Sequence, residues 1–508
     1  NNEVKSLNYE VNEIDNIELL DTSSKDGHRI YIRGILYIMA KALNEVYPEA
    51  LLSVNYQLSS AMFCKIDNME ITDEMIANVK ARMQEIINQN LEIRKVVMTK
   101  EEAEEFYSNE KTLRGIVQID NTQKEGVSLY YCEDYFNYFF GVMPVTTAYT
   151  DVFDVIKYGD GFLVRYPSAE KPNELTNYKS NKKLLSTLEE YEDIHRVLQI
   201  DTLYKLNKEI KEGRTSNVIL LSEALHEKKM ANIADDIAKR KNVKMVLIAG
   251  PSSSGKTTFA KRLGVELRLN GLKPVTISVD NYFVERVDNP KDENGDYDFE
   301  CLEAIDLELF NNHIKTLLDG GTIDVPTFDF KVGTKRYNGE KMHLEDDEIL
   351  VIEGIHCLND KLTSSIPMEQ KYKIYISNLT VLNIDYCNRI STTDTRLIRR
   401  IVRDNNFRGY SALHTLRTWA SVNRGENKNI FPYQENCDVM FNSSLIYELS
   451  VLKKQALPLL QEITNAEPEY AEAKRLVEFL KYFEEVDEGL IPQNSLLREF
   501  VGGSIFGD

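Results

Sequence analysis

Eight consecutive residues, Gly250-Pro251-Ser252-Ser253-Ser254-Gly255-Lys256-Thr257, follow the spacing G-x-x-x-x-G-K-[ST]. That spacing is suited to holding a polyphosphate. Glycines let successive backbone N–H groups turn toward phosphate oxygens, the lysine adds a point charge, and the Thr257 hydroxyl can hold Mg²⁺. With Thr258, these residues form the expected ATP-binding set. Phosphoryl transfer also needs a metal clamp, an in-line nucleophile and cations for the developing charge. Asp280, in Ser278-Val-Asp-Asn-Tyr-Phe283, ends an apolar run and can take a proton from an attacking hydroxyl while touching the metal shell. Glu353 closes Ile349-Leu-Val-Ile-Glu353 and can reach the same metal. Arg396, Arg399, Arg400 and Arg403 recur at helical spacing, and only Asp394 and Asp404 are acidic between Arg389 and Gly425. This arginine comb is expected on a mobile lid that closes over ATP and screens the transferring phosphoryl group.

These groups need a scaffold that brings strand ends together. Met245–Ala249 is an apolar run that reads as a buried strand, and Thr258–Leu269 reads as a helix ending at Asn270-Gly271. Strand, glycine loop and helix N-terminus are the context that gives the motif its mechanism. Further strands are predicted at Val275–Val279, Ile349–Glu353, Lys373–Ser377 and Asp438–Asn442. Short apolar runs alternating with helices predict an α/β, doubly wound parallel sheet, which binds ligands beyond the C-terminal ends of its strands.

Ahead of this half, residues from about 28 to 166 read as an α+β domain. Helices are predicted at Arg33–Val46 and Glu70–Asn90, the second with Met75, Ile76, Val79, Met83, Ile86 and Ile87 on one stripe. Thr99 and Glu102 form a capping box that opens a third. Residues 167–242 read as a polar linker followed by connecting helices at Leu184–Glu212 and Ser222–Arg240, and residues 243–464 as the phosphate-binding domain. Residues 465–508 read as a charged helix and an apolar tail, which is expected to dock rather than float.

At 508 residues the chain is long enough for two or more domains. Its net charge of −20 argues against nonspecific nucleic-acid binding. No apolar run has the length of a membrane span and no signal peptide opens the sequence, so no membrane partner is expected. The six cysteines are scattered without metal-ligand spacing and read as reduced residues of a cytoplasmic protein. A homo-oligomer is compatible with all of this.

The stretch from about Val243 to Ile463 resembles the uridine kinase and phosphoribulokinase group of P-loop kinases. The resemblance rests on the glycine loop, Asp280-Asn-Tyr-Phe283, Tyr297-Asp-Phe-Glu300, Pro326-Thr-Phe-Asp-Phe330, Ile352-Glu-Gly354 and Asp394-Thr-Arg-Leu-Ile-Arg-Arg400. It implies Asp280 as general base toward a sugar 5′-hydroxyl, Glu300 on the ribose hydroxyls, and Tyr282, Phe328 and Arg396 near the substrate. It also implies Thr257 and Glu353 at the magnesium positions, and Arg396 and Arg399 as catalytic lid arginines. The Tyr and His that read a pyrimidine base in this group are replaced here by Phe328 and Gly333. The expected activity is therefore ATP-dependent phosphorylation of a nucleoside 5′-hydroxyl with no base preference assigned.

The first 27 residues resemble the end of a TGS-type segment, and residues 28–166 the editing-type domain of threonyl-tRNA synthetase. The anchors are Asp26-Gly-His-Arg29, Tyr47-Pro48, Ile86-Ile-Asn-Gln-Asn90 and Leu129-Tyr-Tyr-Cys-Glu-Asp-Tyr135. The two zinc-type pairs of that domain fall on Arg33 and Tyr37, and on Phe139 and Met143, none of which can ligate zinc. The combination resembles bacterial bidomain nucleoside kinases. Two other readings stay open at this point: a kinase acting on a phosphosugar or other small hydroxyl compound, and an ATP-gated RNA- or tRNA-binding regulator.

Overall fold

The computed structural model describes residues 2–12, 16–108, 115, 126–291, 295, 297–329 and 332–507. Phe330 of the Pro326–Phe330 motif lies outside them, as do Asn1 and Asp508. The N-terminal half opens with helix α1 (Lys25–Val46), strands β1 (Leu52–Gln57) and β2 (Ala61–Ile66), and helix α2 (Asp73–Asn88). It continues through β3 (Arg94–Thr99), α3 (Lys100–Ser108), β4 (Gly126–Cys132), β5 (Tyr135–Asn137), β6 (Asp154–Tyr158) and β7 (Gly161–Arg165). Its strands pair antiparallel in two sheets, ordered β1-β2-β7-β6 and β3-β4-β5. The stripe predicted for α2 is buried along its full length, against α1 and the first sheet. The capping box opens α3 as expected: the Glu102 amide donates to Thr99 Oγ1 and the Thr99 amide to the Glu102 carboxylate.

Three connecting helices follow, α4 (Lys182–Val197), α5 (Leu203–Lys211) and α6 (Thr215–Lys239). The single helix expected over Leu184–Glu212 is in fact two. Gln199 adopts φ +59°, a left-handed turn that α-helix cannot pass through, and the chain restarts at Leu203.

The C-terminal half is a parallel sheet flanked by helices. Its elements are β8 (Met245–Ala249), α7 (Lys256–Leu269), β9 (Lys273–Ser278), α8 (Leu307–Leu318), β10 (Thr322–Asp329), β11 (Thr334–His343), β12 (Glu348–Glu353) and β13 (Lys371–Ser377). Then come α9 (Thr392–Arg403), α10 (Ala412–Asn429), β14 (Val439–Asn442), α11 (Glu448–Gln461), α12 (Tyr470–Leu480) and α13 (Arg498–Val501). The sheet runs β14-β13-β8-β12-β9, every pair parallel, with the five predicted strands in these five places. β8 and β13 are buried at every residue; β8 reads as an unbroken apolar run, whereas β13 carries Lys371 and Lys373 into the buried sheet. A two-stranded hairpin, β10–β11, was not expected. Eight of the ten residues in β11 are not apolar and most are exposed, so no alternation marks it as a strand.

The halves share their interiors. One apolar cluster joins Tyr56, Phe63 and Leu163 to Leu247, Tyr375 and Met440, and another joins Leu129 and Tyr138 to Leu397, Ile401 and Phe483. The loop from Asn378 to Ser391, which carries the chain from β13 into α9, is also gripped by the N-terminal half. Asn383 Nδ2 donates to the carbonyls of Val54 (3.0 Å) and Asn55 (3.2 Å), the Val54 amide donates to Tyr386 O (2.8 Å), and Asn388 Nδ2 donates to Tyr138 O (3.1 Å).

The tail packs its apolar residues inward. Ser495, Leu496, Leu497 and Phe500 are fully buried. Among the described residues no helix is long and apolar enough to cross a membrane.

Candidate active site

The sheet register brings the loop and two acids to one edge. β8 ends at Ala249 opposite Tyr375, and the chain turns at once into the glycine loop. A Cβ on Gly250 would stand 1.9 Å from the Ile376 carbonyl oxygen, so only glycine lets the loop leave the sheet here. Ser253 is held at φ +59°, local backbone strain of the kind found where a ligand is cradled. α7 starts at Lys256 directly after Gly255, so its first-turn amides, which have no partner within the helix, face the loop. The Lys256 ammonium lies on the carbonyls of Gly250 (3.0 Å) and Pro251 (3.2 Å). Thr257 is exposed, while Pro251, Ser253, Ser254 and Thr258 are buried.

On the neighbouring strands, Glu353 pairs in register with Ser278, whose Oγ donates to Glu353 Oε1 at 2.8 Å. Asp280 follows two residues later, in the 3₁₀ turn Val279–Tyr282. Burial, then the nearby charge of Asp280, pushes the Glu353 carboxyl up to about 7, against an opposing pull from Lys256. Asp280 opens to water on one side, but protein surrounds the rest of its carboxyl. That loss of hydration raises its pKa, while Lys256 and Arg408 oppose the shift. Two acids of which one lifts the other are a donor set fitting a divalent cation, whose charge would relieve the repulsion.

Glu300 faces the same crevice. Burial, then the Glu426 carboxylate, lifts it to about 7, with Arg400 and Lys256 pulling the other way. Gly425 of α10 lets the two segments close up: a Cβ there would come within 2.4 Å of the Glu300 Cβ.

The arginine comb departs from expectation. α9 is packed: Leu397, Ile398, Ile401 and Val402 are fully buried. Arg396, 2 % exposed, makes a two-pronged pair with Glu426, at 2.6 and 2.8 Å, and also donates to Ser252 O. Arg399, wholly buried, is paired with Glu448 and donates to Ser253 O (3.3 Å) and Ser443 O (2.8 Å). Both brace the loop from behind rather than reaching over it. The acids that hold them lie 30 and 49 residues away, outside the window in which the sequence looked unpartnered. The cations that do act on the crevice carboxylates are Arg400, whose Nη1 donates to Ser252 Oγ at 2.9 Å, and Arg408. Asp404 anchors both, at 3.2 and 3.6 Å. Arg400 belongs to the predicted comb; Arg408 is one of the arginines that flank it in sequence.

Tyr282, expected near the substrate, belongs to the core instead. It is 1 % exposed, its hydroxyl is 3.1 Å from His313 Nδ1, and its ring packs edge-on against Phe310. Phe328 is buried against Phe283, which in turn neighbours the exposed Phe299 and, through it, Tyr297. Gly333 is the turn residue of the β10–β11 hairpin at φ +80°.

Residues 245–448 match the model of the phosphoribulokinase / uridine kinase family. The chain is 30% identical over 187 residues to a uridine kinase of Ligilactobacillus salivarius strain UCC118, covering 37% of this chain and 78% of that one. It belongs to the phosphoribulokinase / uridine kinase family. Within that family it is also 27% identical over 222 residues to a uridine kinase of Bacillus subtilis strain 168, covering 43% of this chain and 96% of the relative. Both matches fall short of half of this chain. Among solved structures, a possible uridine kinase from Bacillus stearothermophilus aligns with a TM-score of 0.29 at 16% identity, over 42% of this chain and all of the other.

Proposed function

We propose that the protein is an ATP-dependent kinase that phosphorylates the 5′-hydroxyl of a nucleoside. What supports this reading above all is the meeting of three features at one sheet edge. The glycine loop, Asp280 and the Ser278–Glu353 pair all lie at the C-terminal ends of adjacent parallel strands. Family membership agrees with it, and the relatives matched are uridine kinases.

In this reading Asp280 accepts the proton of the 5′-hydroxyl as its oxygen bonds to the γ-phosphorus and the bond to ADP breaks. Lys256 and the loop amides hold the departing and transferring phosphates. Arg400 and Arg408, rather than Arg396 and Arg399, balance the charge that develops. Thr257, Asp280 and Glu353 would hold Mg²⁺, which when bound offsets charge on the β- and γ-phosphates. Glu300 grips the ribose diol. The aromatic row Phe328, Phe283, Phe299 and Tyr297 suits a flat base held by its faces, with no side chain there assigned to read its edge.

For the N-terminal half we propose a synthetase-editing-like scaffold without hydrolytic chemistry, in a cytoplasmic protein. Tyr37, Phe139 and Met143 are buried in one apolar cluster, and Arg33 Nε donates to Val142 O at 2.9 Å.

The test is an acceptor survey by ADP release, with nucleosides of all bases and sugar phosphates, in the presence of Mg²⁺. ADP release with nucleosides and product carrying a 5′-phosphate is the expected result. Turnover confined to sugar phosphates, or none at all, would overturn the reading.

A further inference from the structure

The tail does more than cover an apolar surface: it puts a carboxylate into the phosphate-binding loop. Glu499 Oε2 accepts the backbone N–H of Thr258 at 3.0 Å, in the first turn of α7. That amide is one of the unpaired helix-start donors a polyphosphate would use. The Glu499 charge also reaches Glu353 and adds to its upward shift.

The backbone around Glu499 is fixed. Leu496 packs with Phe259 and Leu263 of α7, and Leu497 and Phe500 are wholly buried. Asn406 Nδ2 holds Phe500 O at 3.1 Å, Lys261 Nζ holds Phe506 O at 3.0 Å, and Arg498 Nη2 holds Ile491 O at 2.6 Å. The Glu499 side chain itself is only half-buried, and the Thr258 amide is its one hydrogen bond among those described. It can therefore rotate out while the tail stays docked.

We propose that Glu499 is a built-in anion that competes with the nucleotide's phosphates for the Thr258 amide, so that the resting protein is autoinhibited toward ATP. This rests on the reading of the loop as the ATP site. One N–H cannot serve a carboxylate and a phosphate oxygen at once, and two anions at that distance repel. Occupation by ATP thus requires the side chain to swing away, and the apparent nucleotide affinity is lowered by the fraction of molecules in the closed state.

The experiment is calorimetric titration of the full-length wild type, Glu499→Gln and Glu499→Ala with MgADP, and with adenosine as a ligand lacking phosphate. The expected result is MgADP binding about 10-fold or more tighter in both variants, with adenosine affinity unchanged and a matching fall in the KM for ATP. MgADP binding that is equal or weaker in both variants would overturn the proposal, as would an equal gain for adenosine. If the wild type and both variants all fail to bind MgADP, the ATP-site reading fails first and this one falls with it.

Discussion

Glu426 holds Arg396 by both Nη atoms, at 2.6 and 2.8 Å, and its Oε1 also accepts the Ser252 amide at 2.8 Å. One buried carboxylate thereby ties α9, α10 and the phosphate-binding loop together. Replacing it by alanine strands a guanidinium that is 2 % exposed and frees the loop amide. Glu426→Ala should lose about 3–5 kcal/mol of stability, read by denaturant unfolding.

The two neighbouring arginines of α9 should fail differently. Arg399→Met leaves Glu448 buried without its partner, so it should cost about 3–5 kcal/mol. Arg400→Gln leaves Asp404 with Arg403 and Arg408 and should cost about 1 kcal/mol or less. Its turnover should nevertheless fall about 10²-fold or more, if it balances phosphoryl charge. Unfolding curves and kcat, measured on the same two preparations, separate these outcomes. A stable Arg400→Gln with full turnover would remove that arginine from the mechanism.

Asp280→Asn keeps the shape and removes the proposed base. Turnover should drop by about 10²–10⁴ with little change in the KM for ATP. Wild-type rates would exclude Asp280 as the proton acceptor.

Glu300 gives a pH signature. Its folded pKa is raised from 4.5 to about 7, so between those values the folded protein keeps a proton that the unfolded chain has released. Stability from this position is therefore greatest below the unfolded value and declines as pH rises toward the folded one. Glu300→Gln removes the penalty. Its melting temperature should match wild type near pH 4.5 and exceed it by about 2–4 °C at pH 8. Thermal scans at the two pH values decide it; a variant less stable at pH 8 would contradict the assignment.

The glycine loop, the five parallel strands and the acids at their ends were legible because each is a local pattern: a motif of fixed spacing, a buried apolar run, a charge where that run stops. What stayed hidden depends on distance along the chain. Glu426 and Glu448 neutralise Arg396 and Arg399 only after α10 and α11 fold back. The resemblance put Tyr282 near the substrate, but the turn rotates it toward His313. The β11 strand has no buried face to impose a period of two, so its ten residues carried no strand signal. Glu499 reaches the loop from 241 residues away.

The grip of Asn383, Asn388 and Tyr386 on Val54, Asn55 and Tyr138 has an architectural consequence. That linkage feeds directly into the helix bearing Arg400, so the front half serves as the abutment against which that helix is set. A shift on either side of this joint is therefore passed to the other.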